Sequence, residues 1–486
     1  MGRAAAAVLI AGATAGYAFF SLYRHNHFAS NAFDLAVQDQ TVWGYSRFEF
    51  IYNTVLGIPN LLGDHFHPVL MALAPFMWVW SSVGVLLVAQ AILLGLAAIP
   101  VYLWAEQELG VVAGLAFAAA YLGFWGVLAG VVYDFHHVAF AVPSISLALY
   151  ATMTRRTLLL IPAVIVAMLT REDVALTLIA LGLYIALVQR RWILGGSVAL
   201  INAAWGALLL GVVIPSLGGG VAYRHWTYLA LGSGPAAAAA YVVTHPVESV
   251  RLLFTPAAKA RVWAGSFLAF VLLPLASPLV LVALPSFLER FWSSSPNFWS
   301  FHFQYSMLPA PILAFAAIDT CVRVQRQLKG RMAMAVRVGM PVAAAVTSLV
   351  LTFAFIRPLA EVTNYLPDSR VAQIQSCLDV IPPDASVAAS NTLVPHLSHR
   401  DVIYVISLRS DADYLAIDPS TYTDFFKGEE EQLRNTVRGA LAAGYAVECA
   451  KGTTLVLART SSKLQLTPEL QSWLAGKCSG RACAAG

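Results

Sequence analysis

The sequence carries little charge. Charged residues make up 12% of its 486 positions, whereas hydrophobic residues make up 59%. Soluble domains carry about 25% charged residues, so this shortage excludes an ordinary soluble protein and indicates an integral membrane protein. The formal net charge is only +4, and no basic stripe is interleaved with aromatic residues. Nucleic-acid binding is therefore not expected.

Several catalytic signatures are also missing. The sequence has no HExxH zinc motif, no Walker sequence and no nucleophile elbow. The triple glycine at 218–220 is not a phosphate loop, because no Gly-Lys-Ser or Gly-Lys-Thr follows it. Zinc hydrolase chemistry, P-loop chemistry and α/β-hydrolase chemistry are therefore not supported.

Cysteine is scarce, and four of the five cysteines lie in the C-terminal tail: Cys377, Cys449, Cys478 and Cys483. Four cysteines outside the cytoplasm allow three pairings. A Cys478–Cys483 bond would close a small terminal loop, but the spacing alone does not select it. The spacing matches no zinc motif, so these thiols are not expected to bind metal.

Long apolar runs are abundant. A helix needs about 17 to 25 apolar residues to cross a bilayer, and Lys or Arg in short loops marks the cytoplasmic side. Basic clusters at 155–156, 190–191 and 323–331, with Arg3, predict a cytoplasmic N-terminus and an extracytoplasmic tail in a multi-pass plasma (inner) membrane protein. We expect eleven spans, near 4–22, 83–105, 111–131, 138–154, 157–170, 174–188, 192–214, 262–276, 278–291, 304–322 and 333–356.

Two apolar segments are short. Residues 67–81 predict a helix that lies at the outer surface. Spans 157–170 and 174–188 are separated by three charged residues, and a hairpin would keep these charges away from the middle of the bilayer.

The sequence thus predicts an α-helical polytopic domain at 1–357, with outer loops 23–82 and 215–261, and an extracytoplasmic α/β domain at 358–486. The tail holds 14 of the 26 acids and 11 of the 30 bases, which indicates a water-soluble domain. Within it we expect helices near 368–381 and 428–443, and strands near 385–389, 401–405, 414–417, 445–449 and 453–459.

The first outer loop holds two acids on a predicted helix. Asn31 is a good N-cap residue, and Asp34 three positions later forms a variant of the capping box. Asp34 and Gln38 share a face, whereas Asp39 lies well round the cylinder. These acids are either catalytic or simply solvated.

Histidines and acids collect on the predicted outer face, where all eleven histidines fall. His65 and His67 could bind a phosphate or a metal, or be solvated loop residues. Asp134 and His136 follow a span, and an Asp beside a His can orient the imidazole. The alternative for this pair is an ordinary interfacial turn.

Arg171, Glu172 and Asp173 form the tip of the predicted hairpin. Arg171 could hold an anionic head group, because a guanidinium matches phosphate oxygens, or the three residues could pair for structural reasons. Other possible donors to a substrate, each also an ordinary interfacial residue, are Arg224, His225, His302 and Tyr305.

These stretches together resemble a family of predicted microbial membrane proteins, the domain of unknown function DUF2079. The resemblance covers residues 1 to about 420 and rests on the motifs at 33–43, 64–68, 133–136, 171–176, 302–306, 381–387 and 391–398. Two departures stand out: His67 replaces a small polar residue, and His137-Val138 replaces Pro-Glu. Because Val138 stands where the family usually has Glu, a role for an acid at that position is in doubt in this chain.

The family is similar to the GT-C class of membrane glycosyltransferases. This resemblance implies a GT-C-like fold, a polyprenyl-phosphate sugar donor, and an acid in the first outer loop as catalytic base. Asp34 holds that place, with Asp39 and Asp134 as further candidates. Arg171, Arg224 and His302 would stabilise the phosphate of the donor.

The predicted function is inverting sugar transfer to an extracytoplasmic glycan, lipid or protein. A divalent metal held by Asp34, Asp134 and His136 is an additional expectation; no other cofactor is predicted. Two alternatives remain open at this point. One is a transporter or flippase of a lipid-linked or anionic substrate, and the other is a non-catalytic protein of envelope assembly.

Overall fold

A computed structural model describes residues 1–220, 223–360, 368–421, 429–459, 462 and 464–484. The chain divides into two compact units. The first comprises Met1–Phe20, Leu62–Leu70 and Val88–Glu361, and the second comprises Ser21–Leu61, Met71–Leu87 and Val362–Gly486. The predicted domain boundary at 357/358 stays a prediction.

Helices dominate the chain up to residue 360. The α-helices there are Gly2–Asn26, Val37–Ser46, Ala74–Met77, Gly84–Leu96, Ala98–Leu109, Val111–Leu122, Trp125–Val132, Ala141–Met153, Thr157–Met168, Val174–Leu187, Trp192–Leu208, Ile214–Leu217, Pro235–Thr244, Pro246–Leu252, Ala257–Leu268, Leu284–Trp292, Pro309–Gln325, Gly330–Met334, Met340–Phe355 and Arg357–Ala360.

Among the described residues, five continuous helical stretches are long and apolar enough to cross a membrane, or six if a pair bent by 42° counts as one span. The five are Gly2–Asn26, Gly84–Leu109, Trp192–Leu217, Gln304–Gln325 and Gly330–Phe355, and the bent pair is Val111–Leu122 with Trp125–Val132. The polytopic helical fold is confirmed, whereas the count of eleven spans stays a prediction. Helices Thr157–Met168 and Val174–Leu187 are separate, as expected, but each is shorter than a bilayer is thick.

The predicted spans 262–276 and 278–291 are wrong as continuous helices. Helix Ala257–Leu268 ends early, and Val271 and Leu272 have φ of 53° and 60°. Two 3-10 turns, Leu273–Ala276 and Pro278–Val282, then lead to the nine-residue helix Leu284–Trp292. The prolines at 274 and 278 explain the break, because proline has no N–H to continue the helical hydrogen bonds.

The second unit contains a five-stranded sheet. Its strands are β1 (Val387–Ala389), β2 (Ile403–Val405), β3 (Tyr414–Ile417), β4 (Ala446–Lys451) and β5 (Thr454–Ala458), in the order β2-β1-β3-β5-β4. β1 is parallel to β2 and β3, whereas β5 is antiparallel to β3 and β4. All five predicted strands are therefore confirmed. The α-helices that follow residue 360 are Ser369–Leu378, Glu429–Ala442, Pro468–Leu474 and Gly480–Ala484.

Two disulfides select one of the three possible pairings. Cys377 is bonded to Cys449, which joins helix Ser369–Leu378 to β4. Cys478 is bonded to Cys483, which closes the small terminal loop.

The helix expected after Asn31 begins where the sequence predicts, but it is capped differently. Asn31 is extended, and a π-helical turn (Ala32–Ala36) precedes the α-helix Val37–Ser46. The Asn31 side chain makes no cap; its Oδ1 accepts a 2.9 Å hydrogen bond from Asn391 Nδ2. Asn391 Oδ1 in turn accepts the Ala32 N–H at 2.9 Å. The predicted self-capping is therefore wrong, because a residue distant in sequence satisfies this N–H.

Candidate functional site

The carboxylate of Glu172 is the centre of a polar cluster in the first unit. Its side chain is only 2% exposed, and it accepts three hydrogen bonds. His65 Nδ1 lies 2.6 Å and Tyr223 OH 2.8 Å from Oε1, and the Phe66 N–H lies 3.1 Å from Oε2. Burial alone would raise the pKa of Glu172, but the charge and hydrogen bond of His65 outweigh it and hold this pKa well below its usual range. Glu172 is therefore an anchored anion.

A second acid–histidine pair lies beside it. His225 Nε2 is 3.0 Å from Asp64 Oδ1, and the rings of His65 and His225 stack with centroids 4.0 Å apart. Burial disfavours the charged forms, yet the hydrogen bond from His225 lowers the pKa of Asp64, and the charge of Glu172 raises the pKa of His65. Two carboxylates and two imidazoles are thus held together at one place.

Two more histidines complete the cluster. His67 and His137 are 1% and 7% exposed, and their ring centroids are 4.5 Å apart. Among the described residues, neither His67 Nδ1 nor either ring nitrogen of His137 has a hydrogen-bond partner. Burial lowers the pKa of His67 to about 4, so this imidazole is neutral at physiological pH. The cluster therefore contains buried imidazole nitrogens that no described protein group contacts by a hydrogen bond.

A small cavity that is partly open to solvent lies in the same unit. Arg171 is one of its basic residues and forms a bidentate ion pair with Asp173. The lining residues are Val138, Arg171, Ser286, Glu289, Arg290, Phe298, Gln304, Tyr305 and Leu308.

Arg290 differs from Arg171 in having no acidic partner. It is 2% exposed and donates to the carbonyl oxygens of Phe298 and Ser300, the latter at 2.7 Å, and to Ser306 Oγ. Among the residues that the structure describes, no carboxylate pairs with it. A buried cation without a counter-ion is costly, so the cavity wall is suited to an anion.

The Asp134 turn is fixed by a residue of a neighbouring helix. Asp134 is buried with φ of 53°. The Gln90 amide nitrogen donates to the carbonyl oxygens of Gly130, at 2.9 Å, and Asp134, and its Oε1 accepts the His136 N–H at 2.9 Å. Gln90 thereby sets the backbone of the predicted Asp134–His136 motif, and the His136 ring stacks on Tyr133.

Of the other predicted donors, Tyr305 lines the cavity, whereas Arg224 and His302 do not. Arg224 and His302 are exposed and do not line it, so their predicted phosphate contacts find no support there. Tyr305 does line it and stacks on Phe298 with centroids 4.3 Å apart.

The predicted acids of the first outer loop belong to the second unit. Asp34 is half-buried, whereas Asp39 is fully buried and its Oδ2 accepts from Ser398 Oγ at 2.5 Å and pairs with His399 Nε2 at 3.0 Å. The metal site predicted at Asp34, Asp134 and His136 draws on both units and stays a prediction.

Sequence reasoning missed four residues of the first unit: Gln90, Tyr223, Glu289 and Arg290. A signal for the last two was present, because an adjacent acid and base within an apolar stretch mark a functional position in a membrane protein. The predicted span 278–291 hid that signal. Gln90 is likewise a lone polar residue in an apolar helix.

Solved structures share this fold. ArnT from Cupriavidus metallidurans bound to undecaprenyl phosphate has a TM-score of 0.55, with 95% of this chain and 99% of that chain covered at 14% identity. The apo state of the same protein also has a TM-score of 0.55, with 96% and 100% covered at 14% identity. At this identity the similarity defines the fold alone, and that fold is GT-C-like.

The chain belongs to the family described as Predicted membrane protein (DUF2079), whose sequence model matches residues 24–446. The resemblance seen in the sequence motifs is thereby confirmed. No curated protein matches the chain.

Proposed function

We propose that the protein is a membrane glycosyltransferase that takes a sugar from a polyprenyl-phosphate donor. The observation that carries this proposal is the buried Arg290 guanidinium, which lines a cavity and has no carboxylate partner among the described residues. The GT-C-like fold, shared with a protein whose structure contains undecaprenyl phosphate, supports the same class of ligand.

The proposed reaction gives a role to the positive charge of Arg290, unpaired among the described residues. An acceptor hydroxyl oxygen attacks the anomeric carbon, the bond from that carbon to the phosphate oxygen breaks, and polyprenyl phosphate leaves with the electron pair. The phosphate gains a negative charge in this step. Arg290, and Arg171 beside it in the wall, would stabilise this developing charge more than the ground state, which is the condition for catalysis.

The remaining proton needs a base. Asp34 keeps this role in our proposal, because the family resemblance assigns it to an acid of the first outer loop, and a single displacement would invert the anomeric centre. Asp39 suits the role less well, since it is fully buried and its Oδ2 is engaged with Ser398 and His399. The acceptor is a glycan, lipid or protein outside the cytoplasm.

The proposal is tested with the purified full chain and a panel of radiolabelled polyprenyl-phosphate sugars. We expect Arg290→Gln to reduce release of labelled sugar about 100- to 1,000-fold, as for loss of one stabilising donor. Asp34→Asn should reduce it about 100- to 10,000-fold, as for loss of a general base. Arg251→Gln is the matched control, since this arginine is 69% exposed.

Binding of polyprenyl phosphate without sugar separates recognition from chemistry. Arg290→Gln should weaken this binding, whereas Asp34→Asn should not. Wild-type transfer by Arg290→Gln would overturn the assigned phosphate site. Movement of an intact lipid-linked sugar across vesicles without transfer would favour a flippase.

A further inference from the structure

We infer that Asp64, His65 and His225 of the first unit bind a divalent transition-metal ion, Zn²⁺ in the first place. One ligand atom from each of these side chains lies within 4.8 Å of the other two. Tetrahedral zinc with bonds near 2.1 Å requires separations of about 3.4 Å. The His225 ring, which now stacks on that of His65 with 16° between their planes, must therefore turn toward the ion. This site goes beyond the proposed phosphate cavity and uses none of its lining residues.

The orientation of His65 is already fixed for such a role. Its Nδ1 donates to the anchored carboxylate of Glu172 at 2.6 Å, so Nε2 is the ring nitrogen left to act as a ligand. Histidines that bind metals commonly donate their other N–H to a carboxylate in this way. Glu172 is held in turn by Tyr223 and by the Phe66 N–H. It is therefore a positioning residue rather than a ligand.

The Asp64–His225 pair would be opened by the ion. Without a metal, His225 Nε2 donates to Asp64 Oδ1 at 3.0 Å. A cation between these two atoms would replace the shared proton and attract both. The side chains of Asp64, His65 and His225 are 12%, 20% and 36% exposed, so an ion can reach them from outside.

His67 and His137 provide a second, independent observation. Both are more than nine-tenths buried, their rings contact each other, and the His137 ring lies 5.5 Å from that of His65. Among the described residues, three of their ring nitrogens have no hydrogen-bond partner. In a neutral imidazole one nitrogen carries the proton and the other accepts, so His137 has one nitrogen that can accept a hydrogen bond from metal-bound water.

The donor set decides the class of ion. Imidazole nitrogen suits zinc, cobalt, nickel and copper, whereas Mg²⁺ and Ca²⁺ prefer sites made of oxygen. Two histidines and one carboxylate, with a position left open, are the ligands of many zinc centres that bind water or substrate.

The test measures metal rather than sugar transfer. The full chain, purified in detergent with an affinity tag that contains no histidine, is stripped with a chelator, reloaded with Zn²⁺ or Co²⁺, and dialysed. We expect about one Zn²⁺ per chain, an increase in Tm on loading, and a Co²⁺ absorption spectrum typical of tetrahedral coordination. His225→Ala and Asp64→Ala should lose all three properties.

His245→Ala is the matched control, because His245 is an exposed histidine of the same unit, outside the cluster. It should retain the metal and the Co²⁺ spectrum. The inference is overturned if the wild-type chain holds no more zinc than His225→Ala and Asp64→Ala, which would leave the cluster as hydrogen-bonded acid–histidine pairs. Because no sugar donor is present, this result is separable from failure of the proposed transferase activity.

Discussion

The two units use the same pair of side chains in opposite ways. In the first unit, Glu172 holds His65 through Nδ1 and leaves Nε2 available beside Asp64 and His225. In the second unit, Asp39 is fully buried, accepts a hydrogen bond from Ser398 and forms an ion pair with His399 Nε2 at 3.0 Å. A carboxylate–imidazole pair is therefore part of a candidate ligand site in one unit and a structural contact in the other. The residues that surround each pair determine whether it can bind a ligand or only stabilises the fold.

The arginines of the first unit show the same contrast. Arg171 is neutralised by Asp173, whereas Arg290 donates only to neutral oxygens among the described residues. Charge satisfied within the protein contributes to stability, and charge left over attracts a ligand. The predictions below test the contrast between a structural pair and a ligand-binding pair on Asp39–His399 and Glu172–His65.

The largest effect is expected for Asp39→Ala. Removing this carboxylate takes away the counter-ion of His399 and one acceptor of Ser398, and we expect the free energy of unfolding to fall by about 3 kcal/mol. That is the low end for a buried pair, because His399 is 23% exposed. The measurement is Tm and chemical denaturation of the second unit. Asp401→Asn, whose side chain is 74% exposed, is the control and should change little. An unchanged Tm for Asp39→Ala would remove the structural role.

A smaller effect is expected for Glu172→Gln. The amide keeps the shape but loses the charge that orients His65, so Zn²⁺ affinity should fall about 10- to 100-fold. Titration with Zn²⁺ against a competing chelator measures this change. Asp39→Asn, the equivalent change in the other pair, should leave Zn²⁺ affinity unaltered. Equal losses in both variants would mean that the two pairs do not differ as described.

The smallest effect is a pH dependence in the second unit. Burial lowers the pKa of His399, but the charge and hydrogen bond of Asp39 outweigh it and raise this pKa above 6.5. A raised pKa contributes stability that is fully present below the unfolded value of 6.5 and is lost as pH rises through the folded pKa. The stability difference between wild type and His399→Gln should therefore be larger below pH 6.5 than at alkaline pH.

Ser81→Ala is the control for that series. Ser81 Oγ lies 3.3 Å from His399 Nδ1, on the side of the ring away from Asp39. Its removal should not alter the pH dependence. A difference that grows with rising pH in His399→Gln would show that the pair is not ionic.

Much of the fold follows from local sequence. Apolar run lengths predicted spans near 4–22 and 333–356, which the structure shows as helices Gly2–Asn26 and Gly330–Phe355, and all five strands of the tail were predicted. Local signals failed where proline placement mattered more than mean hydropathy, as at 262–291. They also failed at Asn31, because the partner of its side chain is Asn391, 360 positions away.

The candidate site was only partly visible. His65, His67, Arg171 and Glu172 were identified because charged and imidazole groups are rare in such a sequence. Arg290 was missed because it lies within the predicted span 278–291, which was treated as an ordinary apolar helix. The two departures from the family pattern, His67 and His137, were noted separately, and only the structure shows that their rings contact each other.

The sequence by itself determined that this chain is a polytopic membrane protein with acids and histidines between its apolar segments, because these properties depend on composition and on neighbours along the chain. Only the tertiary structure decided which acid meets which histidine, and which arginine has no carboxylate partner among the described residues. Those outcomes depend on contacts between residues about a hundred or more positions apart, such as His65 with Glu172 and Asp64 with His225. Local pattern cannot specify such contacts, since the same residue types would fit several pairings equally well.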